Sequence, residues 1–169
     1  MTTSPQLKVQ DALNELVRFV RAHGAPCFVN WPESVLRDYL FFHAGQGTLV
    51  LIRRGSAITG IGIGWQCFEH EIEQHWLPTH RDGDTFYFAH LIASEPAAVA
   101  GVVAEFRKRW PEWRALKLFA RRHNRVVRYT HALLEQLEQF GRRGAERPTG
   151  AGSDPTPLSR RPTFSPTPP

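Results

Sequence analysis

Apolar residues recur at helical spacing near the start of the chain. Val9, Leu13, Leu16, Val17 and Val20 fall on one face of a segment that begins near Pro5 and stops at His23-Gly24. An extended piece, APCFVNW, leads to Pro32, which suits the start of a second helix with Val35, Leu36, Tyr39, Leu40 and Phe42 as its apolar members; the run AGQG ends that helix. The period then changes to two. TLVLIRR, a turn at Gly55-Ser56 and AITGIGIGWQC predict an antiparallel hairpin. DTFYFAHLIAS, residues 84–94, predicts a buried strand. Ser94 is expected to cap the next helix, with Glu95 and Pro96 in its first turn, Val99, Val102, Val103 and Phe106 buried, and Pro111 ending it after Trp110. RALKLFARR predicts another strand, and a last helix carries the stripe Leu133, Leu137 and Phe140. The stretch VVRYT at 126–130 fits either a strand or the start of that helix.

Strands and helices alternate only from residue 85 onward, after an antiparallel hairpin. The pattern predicts an α+β fold, a layer sandwich around a mixed, mostly antiparallel sheet. Gly60, Gly62 and Gly64 alternate with Ile61, Ile63 and Trp65 at strand period, so GIGIG is not a phosphate loop, which needs its glycines between a strand and a helix. It is a bare stripe on one sheet face, suited to a closely packed helix. Residues 1–140 are expected to form one domain. From Gly141 to 169 the chain is mostly Gly, Pro, Ser, Thr and Arg, with Leu158 and Phe164 as its large apolar side chains, and is expected to be a disordered basic tail.

The formal net charge is +5, and it is unevenly spread. Nine Lys or Arg residues between Arg107 and Arg128 face the single acid Glu112, giving that stretch +8 and leaving −3 for the rest. Such a field attracts phosphate, nucleic acid or an acidic protein surface. Two cysteines, Cys27 and Cys67, make neither a disulfide framework nor a metal cluster. His70 and His75 are five apart and turn away from each other on a helix, so no metal site is expected in the acidic segment 68–83. No apolar run approaches a membrane span and the N-terminus lacks a secretory core, so a cytoplasmic protein is expected. The residue out of place is His90, polar within an aromatic strand.

Three stretches resemble the toxin-activating lysine-acyltransferases, a family with an acetyltransferase-like (GNAT-type) fold that moves a fatty acyl group from acyl carrier protein to lysines of protoxins. They are Pro26 followed by Asn30-Trp31-Pro32; the strand ending GIGIGWQC with the Glu-rich segment and Arg-Asp-Gly-Asp turn behind it; and Thr85 to Ala93, like the family's aromatic strand closing in Ile-Ala. The resemblance as a whole covers about residues 12 to 122. The departures fall on the family's two active residues: its histidine position holds Phe28 and its aspartate position holds His90. The glycine- and arginine-rich loop by which many acetyltransferases hold acetyl-CoA is also missing.

What the resemblance implies is acyl transfer from a thioester of acyl carrier protein or coenzyme A to an amine such as a protein lysine, with the thioester as donor substrate and no tightly bound cofactor. His90 is the candidate general base, and Cys27, if it comes within reach, a candidate nucleophile. Phe28, Trp31, Trp65 and Phe88 are expected to wall the cleft, and Arg107, Lys108, Arg121, Arg122 and Arg125 to meet the acidic carrier or the phosphates of coenzyme A. Loss of both family residues also fits a module that keeps the fold and binds protein without catalysis, its cleft filled by Phe28 against Phe88. A nucleic-acid-binding role through the basic stretch, Trp110 and Trp113 is the less favoured alternative.

Overall fold

The computed structural model describes residues 5–24, 28, 30–73, 82–122 and 125–146, with the side chains of 5–8 and 144–146 left aside. Helices α1 (Pro5–His23) and α2 (Glu33–Gly45) precede strands β1 (Leu49–Arg54), β2 (Ala57–Cys67) and β3 (Thr85–Ala93). Helix α3 (Pro96–Arg109), strands β4 (Lys117–Arg122) and β5 (Arg125–Tyr129), and helix α4 (His131–Glu146) complete the order. The five strands lie in the sheet in sequence order, and each neighbouring pair is antiparallel except β3 with β4. The fold is α+β, as the periodicities predict. Gly55 turns the β1–β2 hairpin at a φ of 60°, which glycine adopts without the cost other residues meet. VVRYT resolves as strand, since β5 pairs back on β4 from Arg125 to Tyr129.

Each sheet face carries its own core. Leu16, Val17 and Val20 of α1 and Leu36, Tyr39 and Leu40 of α2 pack on Ile61, Ile63, Trp65, Tyr87 and Ala89. The opposite face joins Phe86 and Leu118 to Val102, Val103 and Phe106 of α3 and Leu134 of α4. The glycine stripe belongs to this second face. A Cβ at Gly60 would lie 2.9 Å from the Ala98 Cβ, and one at Gly62 would overlap Val102 and Phe106, so the bare strand is what admits α3.

Three local expectations change. Ser94 does not cap α3: its hydroxyl donates to the Thr59 carbonyl at 3.2 Å, and Glu95 takes the cap position while its carboxylate meets Arg54 at 2.7 Å. Two members of the α4 stripe are turned outward, Leu133 37% and Phe140 66% exposed, and Leu137 is half-buried, whereas Leu134, Glu138 and Gly141 are buried. Gly141 sets that register, because a Cβ there would meet the Pro96 carbonyl oxygen at 2.5 Å and the Ala100 Cβ at 2.6 Å; Glu138 then meets Arg107 at 2.5 Å. The helix also continues to Glu146, past the composition break at Gly141, and the tail from residue 147 lies outside the described residues.

Replacing Gly62 by Ala is therefore expected to destabilise the domain by about 1–3 kcal/mol through overpacking against α3. The same change at exposed Gly45, where an added Cβ meets nothing, is expected to be neutral or better. Paired chemical denaturation curves measure the difference.

Candidate functional site at the strand fork

Strict alternation along β3 would put Phe86, Phe88 and His90 on one face. The register with β2 breaks it: Gly64 pairs with Phe88 and the next residue, Ile63, with His90, so Ala89 is an extra residue. This bulge shifts the phase of the strand. Tyr87 and Ala89 face α1 and α2, Phe86 and Phe88 face α3, and His90 follows Ala89 onto the α1/α2 side.

There His90 meets the segment that follows α1. Its ring centroid lies 4.4 Å from that of Phe28 and 5.8 Å from that of Tyr39. Arg21, in the last turns of α1, fixes that segment by donating to the carbonyls of Phe28 and Trp31. Trp31 closes edge-on against Phe28 at 5.3 Å and Tyr39 at 5.2 Å. The cluster continues inward. Tyr39 packs on His43 at 4.4 Å, and His43 stacks on Trp65 at 5.2 Å with 17° between the rings; Trp65 meets Tyr87 edge-on at 5.3 Å. The Thr48 hydroxyl donates to the His43 carbonyl and accepts from His43 Nδ1 at 2.7 Å, which satisfies a fully buried ring. Each aromatic pair adds about 0.5–1.5 kcal/mol beyond its buried area.

Phe28 is thus beside His90, Trp31 is linked to it through Phe28 and Tyr39, and Trp65 through Tyr39 and His43. Phe88 is a correction. It lies on the opposite sheet face, 4.7 Å from Phe86 and 5.4 Å from Phe106, because the bulge that turns His90 comes after it. The filled contact is accordingly Phe28 on His90, and not Phe28 on Phe88. Cys27 lies outside the described residues, as do His75 and the rest of 74–81. Tyr39 and His43 were the members the sequence reading passed over as functional neighbours; their spacing of four on α2 puts both on the sheet-facing side.

A second feature adjoins the cluster. The parallel ladder between β3 and β4 ends at Phe88 with Ala120, whereas β3 runs on to Ala93 beside β2 and β4 runs on to Arg122 beside β5. The strands part into a fork at their carboxyl ends, with His90 on one arm and Arg121 and Arg122 on the other. In sheets with parallel strands, this end is where ligands enter.

The basic stretch divides when its partners are drawn. Arg107 holds Glu138 and covers the Trp113 ring at 4.8 Å; Lys108 meets Glu105 at 2.5 Å, Arg114 meets Glu135 at 2.6 Å, and Lys117 meets both Glu69 and Asp84 at 2.8 Å. Arg109 donates to the carbonyls of Gly47 and Leu49. Arg121 reaches Glu73 at 3.4 Å and lies beside the Tyr87 hydroxyl, whose pKa burial raises. Arg122, Arg125 and Arg128 have no acidic partner among the described residues, so the open positive charge is on the β4–β5 hairpin. Arg107 and Lys108, expected beside the hairpin arginines, sit instead at the far end of α3. Trp113 is buried with arginines over its ring, and its face is closed to a stacking base.

Among the described residues no group of three or more His, Cys, Asp or Glu could hold a metal ion, and no helix is long and apolar enough to cross a membrane. No protein-family model matches the sequence, and no curated protein matches it.

Cys67 is fully buried, and desolvation, with smaller contributions from Glu71 and Asp84, pushes its thiol up to about 12. It is expected to resist iodoacetamide in the native protein and react on unfolding, as mass spectrometry would show. The sign of its pH effect follows. The unfolded thiol ionises near its ordinary value while the folded one keeps its proton, so this group's contribution to stability declines as pH rises from about 9 toward 12. Denaturation of Cys67→Ala against the parent chain over that range measures it, the variant declining less.

Proposed function

We propose that the chain is an acyltransferase of the kind its sequence resembles, moving an acyl group from a thioester of acyl carrier protein or coenzyme A to an amine such as a protein lysine. The observation that carries this reading is the meeting of Phe28 and His90. They are far apart in sequence, they are the two positions where the resembled family keeps its active residues, and their rings are in contact. The fork supports it as well. The side of β3 beyond Phe88 that turns toward β4 has no strand partner among the described residues, a place for an extended acyl arm to lie along backbone groups. Arg122, at the end of β4, and Arg125, paired across from it, supply charge for a phosphate or an acidic carrier.

The chemistry asks one group to move a proton. The amine nitrogen attacks the thioester carbonyl, a C–N bond forms, and His90 takes the proton the nitrogen releases. The C–S bond then breaks, and the departing thiolate takes that proton from the imidazolium, which leaves an amide and a free thiol. The donor is a substrate in this scheme.

One observation favours a second reading, a module that binds protein without transfer. Phe28 is 1% exposed and His90 9%, so the ring standing in for the family's histidine covers the proposed base. Incubation of the whole chain with acyl carrier protein and coenzyme A thioesters and a lysine peptide separates the two. Transfer that falls about 10²–10⁴-fold in His90→Ala and in the more conservative His90→Gln supports the first. Undiminished transfer in both variants sinks it, and carrier binding with no acyl product from the parent chain supports the second. A mass increase on Cys27 in the active chain would identify a covalent intermediate.

A further inference from the structure

We propose that the outer edge of β5 is a docking site for an extended acidic segment of a partner protein, which adds to the sheet as a sixth strand. Two independent observations meet there, one of backbone and one of charge.

The backbone observation is the open edge. β5 is the last strand in the sheet and, among the described residues, pairs on one side only. Arg122 and Arg125 pair across a two-residue connection, and pairs in an antiparallel ladder alternate between hydrogen-bonded and non-hydrogen-bonded. Counting from that closing pair, Arg121 with Val126 and Phe119 with Arg128 are the non-hydrogen-bonded ones, which turns the N–H and C=O groups of Val126 and Arg128 outward. Arg125, Val127 and Arg128 are exposed, so this edge is not covered by another described element.

The charge observation is the sorting of the basic stretch. Five of its nine cations have acidic partners and Arg109 is bound to carbonyls, whereas Arg122, Arg125 and Arg128 have no acid beside them among the described residues. Arg122 stands directly opposite Arg125, an arrangement of like charges that disfavours the hairpin itself. A carboxylate beside them relieves it. The free arginines also lie on both faces of the sheet: Arg122 and Arg125 share a face with Leu118 and Ala120, and Arg128 shares the other with Phe119. Side chains of an added strand alternate between the same two faces. Acidic residues on either side of such a segment therefore find a guanidinium, while its main chain finds Val126 and Arg128. A basic edge is also a common guard against unwanted pairing, and it guards least against a strand of opposite charge.

This site does not depend on whether His90 is catalytic, and its test reads binding alone. The probe is a fluorescently labelled decapeptide of repeating Glu-Val, titrated with the full chain and followed by anisotropy. Three comparisons are a repeating Lys-Val peptide, a Glu-Val peptide N-methylated along one edge, and single-stranded DNA of equal charge. The expected result is saturable binding of the Glu-Val peptide that weakens with salt, is lost on N-methylation, and falls about tenfold or more in the double variant Arg125→Glu with Arg128→Glu. Circular dichroism of that variant, whose changed side chains are both exposed, checks that it folds. Three results would each overturn the proposal: no binding of the Glu-Val peptide, equal binding of its N-methylated form, or tighter binding of the DNA.

Discussion

A single extra residue, Ala89, sets the phase of the central strand, and both cores depend on that phase. β3, at the centre of the sheet, pairs antiparallel with β2 and parallel with β4. Ahead of the bulge its aromatic residues serve both cores, Tyr87 toward α1 and α2, Phe86 and Phe88 toward α3. After it, His90 faces the side that already holds Phe28, Tyr39 and Trp31. An unbroken strand would have pointed the imidazole toward α3, against Phe106, where a polar ring has no use. The bulge comes just where the β3–β4 ladder ends, so it aims a titratable group beside the fork.

The α3 face has the opposite character. Glycines at 60 and 62 bring the helix onto the strand, Gly141 brings α4 onto α3, and the cations at that end are held by Glu138, Glu105 and Glu135. That side is held together by packing and by charge pairing. The fork lies at the carboxyl ends of β3 and β4, and β5 pairs on β4, so the proposed chemistry and the proposed docking edge are neighbours.

The elements were legible in the sequence because each rests on a short-range pattern: period 3.6 in α1 and α2, period two in the hairpin, Pro96 and Pro111 bounding α3. The glycine stripe was legible for the same reason, since its spacing matched a strand and not a phosphate loop. Phe88 was misplaced because a bulge leaves no mark in composition; nothing in YFAHL says that Ala89 is extra. The stripe of α4 was misassigned because Leu133, Leu137 and Phe140 outscore Leu134, Glu138 and Gly141 in hydrophobicity, while the packing was decided by the size of Gly141 and by the Arg107 partner of Glu138. Arg107 and Lys108 looked continuous with Arg122 and Arg125 along the chain. Only the acids that the fold brings alongside separate them.

Nuclear Overhauser contacts from the His90 ring protons test the placement on which the site rests. With Ala89 bulged, strong contacts to the Phe28 and Tyr39 rings are expected, in keeping with centroid separations of 4.4 and 5.8 Å. Contacts from His90 to Phe106 and Phe88 instead would mean an unbroken β3, and the pairing of Phe28 with His90 would fall with it.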